Sequence, residues 1–339
     1  MMHKLCYALL FWCVSLSLVA AQEAEPPAPA IKADGPLPWQ KEKGEKGQPA
    51  KEVPPREMLR LRGMDDSVFE ALFDGRDLIE DENETLNRLM FNLPRFEPEF
   101  WDKWCQKEVP WAELIAKPAE HRLQCFVLAG RAKQVERITI LKDLVPLYEF
   151  THYYRVTLEV AGHAGPIVVC TRQIPHLWKE ATQLDERVAI QAMFLKSGEA
   201  KDDQTPLYFG AARVAWYPDK PNPAFGITAD QVWLADHGMD IALWDEVRPT
   251  NGEKILASES ECFYQLLHVL KDATPAQFKT LPAQAFDLGA MLSTPEKLHG
   301  QAYHFLGTVR RIQKVNVPES YRQRLGIDHY YMVDVSIPL

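Results

Sequence analysis

Short motifs that mark a known reaction are missing from the 339 residues of this chain. There is no nucleophile elbow, zinc-protease helix motif, phosphate-binding loop, dinucleotide-binding glycine pattern or calcium loop. Such motifs report only local chemistry, so their absence does not exclude an enzyme whose catalytic groups are dispersed along the chain. We predict a protein without catalytic residues and without a cofactor.

Cysteine and histidine are few, and their spacing does not suit a metal. Two of the six cysteines lie at the extreme N-terminus, and the other four are Cys105, Cys125, Cys170 and Cys262. The chain has no CxxC pair and no two histidines at the spacing of metal ligands on one helix. We predict no metal site and expect the four cysteines to fill the core as free thiols, with their disulfide state left open.

Only one long apolar run occurs, at residues 5–19. It follows His3 and Lys4 and precedes small alanines, which is the pattern of a secretory signal peptide over residues 1–21. The run is shorter than the roughly 20 residues that cross a bilayer, so a retained anchor is the lesser alternative. We therefore expect export to the periplasm, the cell surface or the exterior, with no transmembrane segment after cleavage. Residues 22–57 are rich in Pro, Lys, Glu and Ala and are predicted to be a disordered linker.

The formal net charge of −9 bears on the class of partner. Nucleic acids and anionic membranes reward a basic surface, so the charge argues against both. The expected partner is a protein or polysaccharide of the cell envelope, whose identity the sequence does not supply.

The chain matches itself without a gap at an offset of 177 residues. The matched pairs include Gln124 with Gln301, Gly130 with Gly307, His152 with His329, Tyr153 with Tyr330, Tyr154 with Tyr331 and Val156 with Val333. Solenoid repeats have periods of about 20–50 residues, so this offset indicates a duplicated pair of domains.

Each copy opens with a segment that has helical periodicity. Asp81 with Glu84, and Ser258 with Glu261, predict capping boxes, and a proline suited to start a second helix follows each stripe, at Pro98 and Pro275. Upstream, the tripeptide Gly-Met-Asp occurs at 63–65 and again at 238–240. We interpret it as a tight glycine turn whose aspartate caps a short helix, and the alternative is a pair of acid/base carboxylates.

Extended segments dominate the next part of the first copy. They are predicted at residues 123–135, 153–160, 167–171, 187–195 and 207–216, with a helix at 176–184 and a bend at Gly130. Three strands, a helix and two strands in this order resemble an OB-fold barrel. The resemblance covers about 100 residues of the first copy and two strands of the second. The layout also resembles that of uncharacterised secreted bacterial proteins, which implies export but no activity.

The predicted fold class is therefore α+β, a tandem repeat of a small helical subdomain and a five-stranded OB-like β-barrel with the second barrel incomplete. The predicted boundaries are a helical subdomain at 58–118, a barrel at 119–218, a linker at 219–229, a second helical subdomain at 230–295 and two barrel strands at 296–339. Three explanations of the incomplete barrel stay open: a fragment of a longer protein, a hairpin that extends the first sheet, or completion by another subunit.

The repeated His-Tyr-Tyr tripeptide and the arginines near it form the predicted contact surface. Alternation sends Tyr154 to the core and Tyr153 to the other face, and aromatic residues on such strands stack on bases or sugars in OB-like folds. The predicted ligand-binding residues are Arg131, Tyr153, Arg155, Arg310, Arg311 and Tyr330. The alternative is a structural role in which both tyrosines pack against the helical subdomain.

The function predicted from these features is that of an exported, non-catalytic binding or scaffolding protein of the cell envelope. Two alternatives are kept: a hydrolase with carboxylate acid/base residues, and a binder of an anionic wall polymer or single-stranded nucleic acid through the barrel face.

Overall fold

The computed structural model describes residues 53–181, 183–202, 204–281 and 284–337. The predicted signal peptide and nearly all of the predicted linker lie outside the described residues. The chain divides into two compact units, one within Glu52–Arg248 and one within Pro249–Leu339. Within the described ranges, no helix is long and apolar enough to cross a membrane.

The first unit contains nine of the thirteen α-helices of the described chain and its largest sheet. The helices are α1 Pro55–Leu61, α2 Asp66–Phe69, α3 Asn83–Asn92, α4 Pro98–Trp104, α5 Trp111–Ala116, α6 Pro118–His121, α7 Val145–Tyr148, α8 Ala229–Asp236 and α9 Trp244–Val247. The strands are β1 Cys105–Gln106, β2 Cys125–Thr139, β3 His152–Val160, β4 Ile167–Gln173, β5 Glu186–Ser197, β6 Leu207–Arg213 and β7 Ala215–Trp216.

Five of these strands close into a barrel. The sheet order is β1-β2-β3-β4-β6-β5-β7, and β2 also pairs with β5, which joins the two sides of the sheet. All barrel pairings are antiparallel except β4 with β6. The chain is thus an α+β protein with a closed, mixed five-stranded barrel, and this barrel is compatible with the predicted OB-like fold.

The long strand β2 bends at Gly130, where it pairs with β3 and β5 at once. A Cβ atom at this position would lie 2.2 Å from the carbonyl oxygen of Glu159. Only glycine lets the two backbones approach so closely, which is the physical reason for a glycine at this position.

The predicted helix at 176–184 is wrong in extent. Only His176–Trp178 forms a turn, and it is a 3-10 turn. The N–H of Leu184 already donates to the Lys133 carbonyl, so the chain is rejoining the barrel where a longer helix would have continued.

A layer of helices packs on the outer face of the barrel strands. Leu86, Leu89 and Met90 of α3 belong to one buried cluster with strand residues that include Tyr153 and Leu195. The apolar stripe predicted for this helix is therefore its buried face.

The predicted capping boxes are shifted by two residues from those in the structure. A 3-10 turn, Glu80–Glu82, precedes α3, so the carboxylate at the cap is that of Glu82, which accepts from the Ile79 N–H at 3.0 Å. Glu84 instead pairs with Arg88 one turn further along α3, at 2.6 Å. The second unit has the same arrangement, with Glu259 accepting from the Leu256 N–H at 2.9 Å. The prediction that Glu84 and Glu261 cap these helices is wrong, because helical turns begin earlier than the apolar stripes indicate.

The second unit contains four helices and two small sheets in its described residues. The helices are α10 Ser260–Lys271, α11 Pro275–Phe278, α12 Leu288–Ser293 and α13 Glu319–Leu325. The strands are β8 Gln284–Ala285, β9 Tyr303–His304, β10 Thr308–Asn316 and β11 His329–Ser336, with β10 antiparallel to β11 and β8 parallel to β9.

The β10–β11 hairpin has the register of the β2–β3 hairpin. Each of its eight residue pairs falls 177 positions after a pair in the first unit, so that Asn316 faces His329 as Thr139 faces His152. Each hairpin also has one irregularity, between Ala132 and Gln134 and between Val309 and Arg311.

Unusual backbone features correspond at the same offset. A Cβ atom on Gly307 would lie 2.8 Å from the Ser336 carbonyl oxygen, the counterpart of the contact between Gly130 and Glu159. Left-handed residues also coincide, Glu149 with Gly326 and Leu123 with Gly300. Such conformations are uncommon outside glycine, so their coincidence is more informative than matching helices.

Candidate functional site

The first unit buries the tyrosine that was expected to face outward. Tyr153 and Tyr154 are both almost fully buried, because β3 has the barrel interior on one side and the helical layer on the other. Tyr153, predicted to point towards solvent or a binding groove, is shielded from solvent and packs against the helical layer, as the structural alternative predicts for it. Burial raises the pKa of its hydroxyl to about 12, and Arg155 donates to that hydroxyl at 3.4 Å.

Arg131 belongs to a network of ion pairs on the barrel surface. It pairs with Asp185 and Asp219, each at 2.7 Å, and Lys133 pairs with Asp185 at 2.8 Å and with Glu159 at 3.0 Å. Hydrogen bonds from Arg131 and Lys133 lower the pKa of Asp185 to about 2. Because the positive charges are already compensated, this surface offers little attraction to a polyanion.

The predicted residues of the second unit lie on its hairpin. Arg310 donates to the Ser336 hydroxyl at 3.0 Å and Arg311 to the Gln313 side-chain oxygen at 2.9 Å. Tyr330 packs edge-on to Phe263 of α10, with ring centroids 5.3 Å apart. Of the six predicted residues, Tyr153 and Arg155 are in contact with each other, Arg131 is held by its ion pairs with Asp185 and Asp219, and Arg310 and Arg311 have separate partners on the hairpin.

The two Gly-Met-Asp tripeptides form the predicted capped turns. Gly63 and Gly238 have positive φ angles, and the methionines that follow them are buried. Asp65 accepts from the Ser67 N–H at 3.1 Å, and Asp240 accepts from the Ala242 N–H at 3.0 Å and from the Trp216 N–H at 2.8 Å. Both aspartates hold helix N-termini, so neither geometry favours an acid/base role.

A cleft of about 940 Å³ lies beside α3 in the first unit. Its walls are α3, the end of β2 and the connection that leads to β3, and its floor includes Met64 and Tyr153. This volume is at the upper end of the range of small-molecule and peptide-side-chain sites. Sequence reasoning missed it, except that Tyr153 is among its lining residues.

The deepest polar group of the cleft is the side chain of Asn87. This residue is 3% exposed, lines the cleft, and its Oδ1 atom has no hydrogen-bond partner within the described part of the chain. An unsatisfied buried acceptor costs about 1–3 kcal/mol. A protein tolerates such an unsatisfied acceptor most readily where a bound ligand supplies the missing hydrogen-bond donor.

The rim of the cleft combines charged and apolar side chains. Glu80, Asp81 and Glu84 supply carboxylates, while Arg88 pairs with Glu84 and lies within hydrogen-bonding reach of the Tyr148 hydroxyl. Leu141 and Leu147, 66% and 63% exposed, stand on the opposite wall. Arg62 also lines the cleft, so a ligand would meet three carboxylates and two guanidinium groups on the charged side and an apolar surface at Leu141 and Leu147.

The second unit carries larger side chains at three of the equivalent positions. Residues 177 positions after Asn87, Leu144 and Leu147 are Tyr264, Tyr321 and Arg324. The two tyrosine rings contact each other with centroids 4.3 Å apart and planes tilted by 32°, where the partly buried Tyr321 packs against the cluster that contains the buried Tyr264. Arg324 makes a two-point contact with Glu261, at 2.9 and 3.1 Å, where Glu261 is the counterpart of Glu84. These three differences are visible in the sequence at the 177-residue offset.

Comparison with protein-family models, with curated proteins and with solved structures finds no match to this chain. Of the described residues, no group of three or more His, Cys, Asp or Glu side chains is arranged to hold a metal ion.

Proposed function

We propose that this chain is an exported, non-catalytic binding protein of the cell envelope, and that the cleft beside α3 is its ligand site. The observation that carries the proposal is a large cleft whose floor includes a buried, unpartnered acceptor, Asn87 Oδ1. The apolar run at residues 5–19 and the small residues after it support export.

We also propose that the chain arose by tandem duplication of a helical subdomain and an OB-like barrel, with the second barrel incomplete in this sequence. The shared hairpin register, the shared irregularity and the matched left-handed residues support this proposal. Val333, whose counterpart in the barrel interior is the fully buried Val156, is 43% exposed, as expected of a hairpin without the remaining strands.

Peptide selection against the full chain tests the binding proposal. A phage-displayed random peptide library is selected on the wild-type protein and counter-selected on the Asn87→Tyr/Leu144→Tyr variant, which installs the tyrosines of the second unit. We expect peptides that bind the wild type and lose at least about tenfold in affinity on the variant. Circular dichroism and urea unfolding establish that the variant is folded.

The matched control is Arg310→Ala/Arg311→Ala, which changes the basic surface of the second unit and leaves the cleft intact. Peptides that use the cleft bind this control as they bind the wild type. Recovery only of peptides that bind all three proteins equally, or that are lost on the arginine variant alone, would refute the cleft as the binding site.

A further inference from the structure

The second unit shows which chemical groups fit the space that is open in the first. Around α10 that space holds the ring of Tyr321, packed at a tilt against Tyr264, and the guanidinium of Arg324, paired with Glu261. Both added groups come from one short helix, α13, and are three residues apart. The first unit has the same connection between its hairpin strands, and it bears Leu144 and Leu147 at these two positions.

We propose that the ligand of the cleft is a peptide segment, helical when bound, that presents an aromatic residue and an arginine three positions later. This inference rests on the proposed function, because it names the ligand class of the same site. The aromatic ring enters the space beside Asn87, and the arginine pairs with Glu84. The peptide supplies from outside what α13 supplies within the second unit.

We infer an aromatic residue in the ligand from the volume of the cleft and from the unpartnered acceptor, Asn87 Oδ1. Asn87 and Leu144 are much smaller than the two tyrosines at the matched positions, so the cleft has room for a ring. A phenol O–H or an indole N–H needs a partner when it is buried. Asn87 lines the cleft, and a turn of its side chain would let the buried Oδ1 atom, which has no donor within the described part of the chain, accept that hydrogen bond.

The arginine part follows from the two carboxylates at matched positions. The Glu261 side chain is 12% exposed and receives two hydrogen bonds from Arg324, whereas that of Glu84 is 68% exposed and makes one ion pair, with Arg88. A carboxylate accepts about four hydrogen bonds, so Glu84 has capacity for a second guanidinium. The nearby Glu80 and Asp81 add negative charge that attracts a basic ligand.

The apolar wall favours a helix over a small aromatic amine. Leu141 and Leu147 lie on the rim, beyond the ring site, and are largely exposed. A helix laid in the cleft would cover these leucines with residues one turn from its aromatic anchor, which is the usual form of helix-in-groove recognition. A single aromatic amine would leave both leucines in water.

The chain contains its own probe for this proposal. A fluorescein-labelled peptide with the sequence of residues 316–328, NVPESYRQRLGID, presents Tyr321 and Arg324 at the required spacing. Its binding to the full-length protein is measured by fluorescence anisotropy. We expect the Tyr321→Ala and Arg324→Gln peptides each to bind at least about tenfold more weakly, since aromatic and arginine side chains dominate such contacts.

Three protein variants locate the contact. Asn87→Tyr/Leu144→Tyr fills the cleft and abolishes binding. Leu147→Arg changes only an exposed side chain, so we expect the variant to fold. It places beside Glu84 an arginine that competes with the arginine of the peptide. Glu84→Lys loses the wild-type peptide and gains the Arg324→Glu peptide, a reversal of preference that a general loss of structure would not produce.

The possible outcomes separate this inference from the proposed function. If library peptides require the open cleft but show no aromatic and arginine pattern, the ligand class is wrong and the binding site stands. If tyramine displaces the peptide at an equal concentration, the occupant is a small aromatic amine and the peptide proposal is overturned. If the 316–328 peptide binds the filled variant as tightly as the wild type, its contact lies elsewhere and the inference fails.

Discussion

The Lys196→Met substitution tests the most deeply buried charges of the first unit. Lys196 on β5 donates to the Glu82 carboxylate at 2.5 Å, and both side chains are fully buried. The same carboxylate accepts from the backbone N–H groups of Phe73 and Ile79, at 2.8 and 3.0 Å. This one pair therefore connects the barrel to the first turn of the helical layer, and removing the lysine leaves a buried negative charge with two neutral donors.

Breaking a buried pair by removing one partner costs about 3–5 kcal/mol, because the remaining charge stays desolvated without compensation. A loss of this size changes the unfolding equilibrium by roughly two to four orders of magnitude, at about 1.4 kcal/mol per factor of ten. The assay is urea unfolding followed by circular dichroism, with stability compared at a constant denaturant slope.

The matched control for this experiment is Lys201→Met. Lys201 pairs with Asp77 at 3.1 Å but its side chain is 63% exposed, so we expect a much smaller loss of stability than in Lys196→Met. The double variant Glu82→Gln/Lys196→Met removes both charges and should recover part of the stability lost in Lys196→Met. A Lys196→Met protein that loses no more than Lys201→Met would refute the assignment of this pair as the principal link between helices and barrel.

Three further predictions follow from the contacts of the two units. Gly130→Ala places a Cβ atom 2.2 Å from the Glu159 oxygen and should lower the free energy of unfolding by about 1–3 kcal/mol. In the control Gly289→Ala, the nearest atom to the new Cβ is 3.3 Å away on a side chain. The same urea experiment should therefore show a change of less than about 1 kcal/mol for the control. In Arg131→Gln the pKa of Asp185, which hydrogen bonds from Arg131 and Lys133 hold at about 2, should rise towards its usual value, and an NMR pH titration would measure that rise. Since folding lowers this pKa, the contribution of Asp185 to stability is present above about pH 4 and is lost as pH falls towards 2, and an unchanged titration in the variant would contradict the pairing. Asn87→Tyr/Leu144→Tyr should raise the free energy of unfolding while it abolishes peptide binding, and a variant that is both less stable and inactive would contradict the account of the cleft as unfilled space.

The positions of the strands were predictable because they depend on local patterns. Alternating apolar residues marked β3, and Gly130 marked the bend in β2, since a close approach of two backbones admits no side chain. The prolines at 98 and 275 marked the starts of α4 and α11 for a similar reason: proline lacks the N–H that a first turn leaves unpaired.

The environment of each strand face was not predictable in the same way. Alternation shows that Tyr153 and Tyr154 point in opposite directions, but it does not show that helices cover the outer face of β3. The helix caps were predicted two residues too late for a related reason. The carboxylates of Glu82 and Glu259 serve 3-10 turns that precede the periodic stripes, and a 3-10 turn has no apolar repeat of its own.

The cleft could have been found only by comparing the residues that differ at the 177-residue offset. Identities at this offset, such as His152 with His329, proved to be packing and hairpin positions. The cleft lies where the residues differ, Asn87 against Tyr264 and Leu144 against Tyr321, beside hairpins of matching register. The contact between the Tyr264 and Tyr321 rings stabilises the second unit, whereas the unpartnered amide oxygen of Asn87 lowers the stability of the first. That difference, next to a carboxylate rim and exposed leucines, is the physical reason for the proposal that the first unit binds a ligand here.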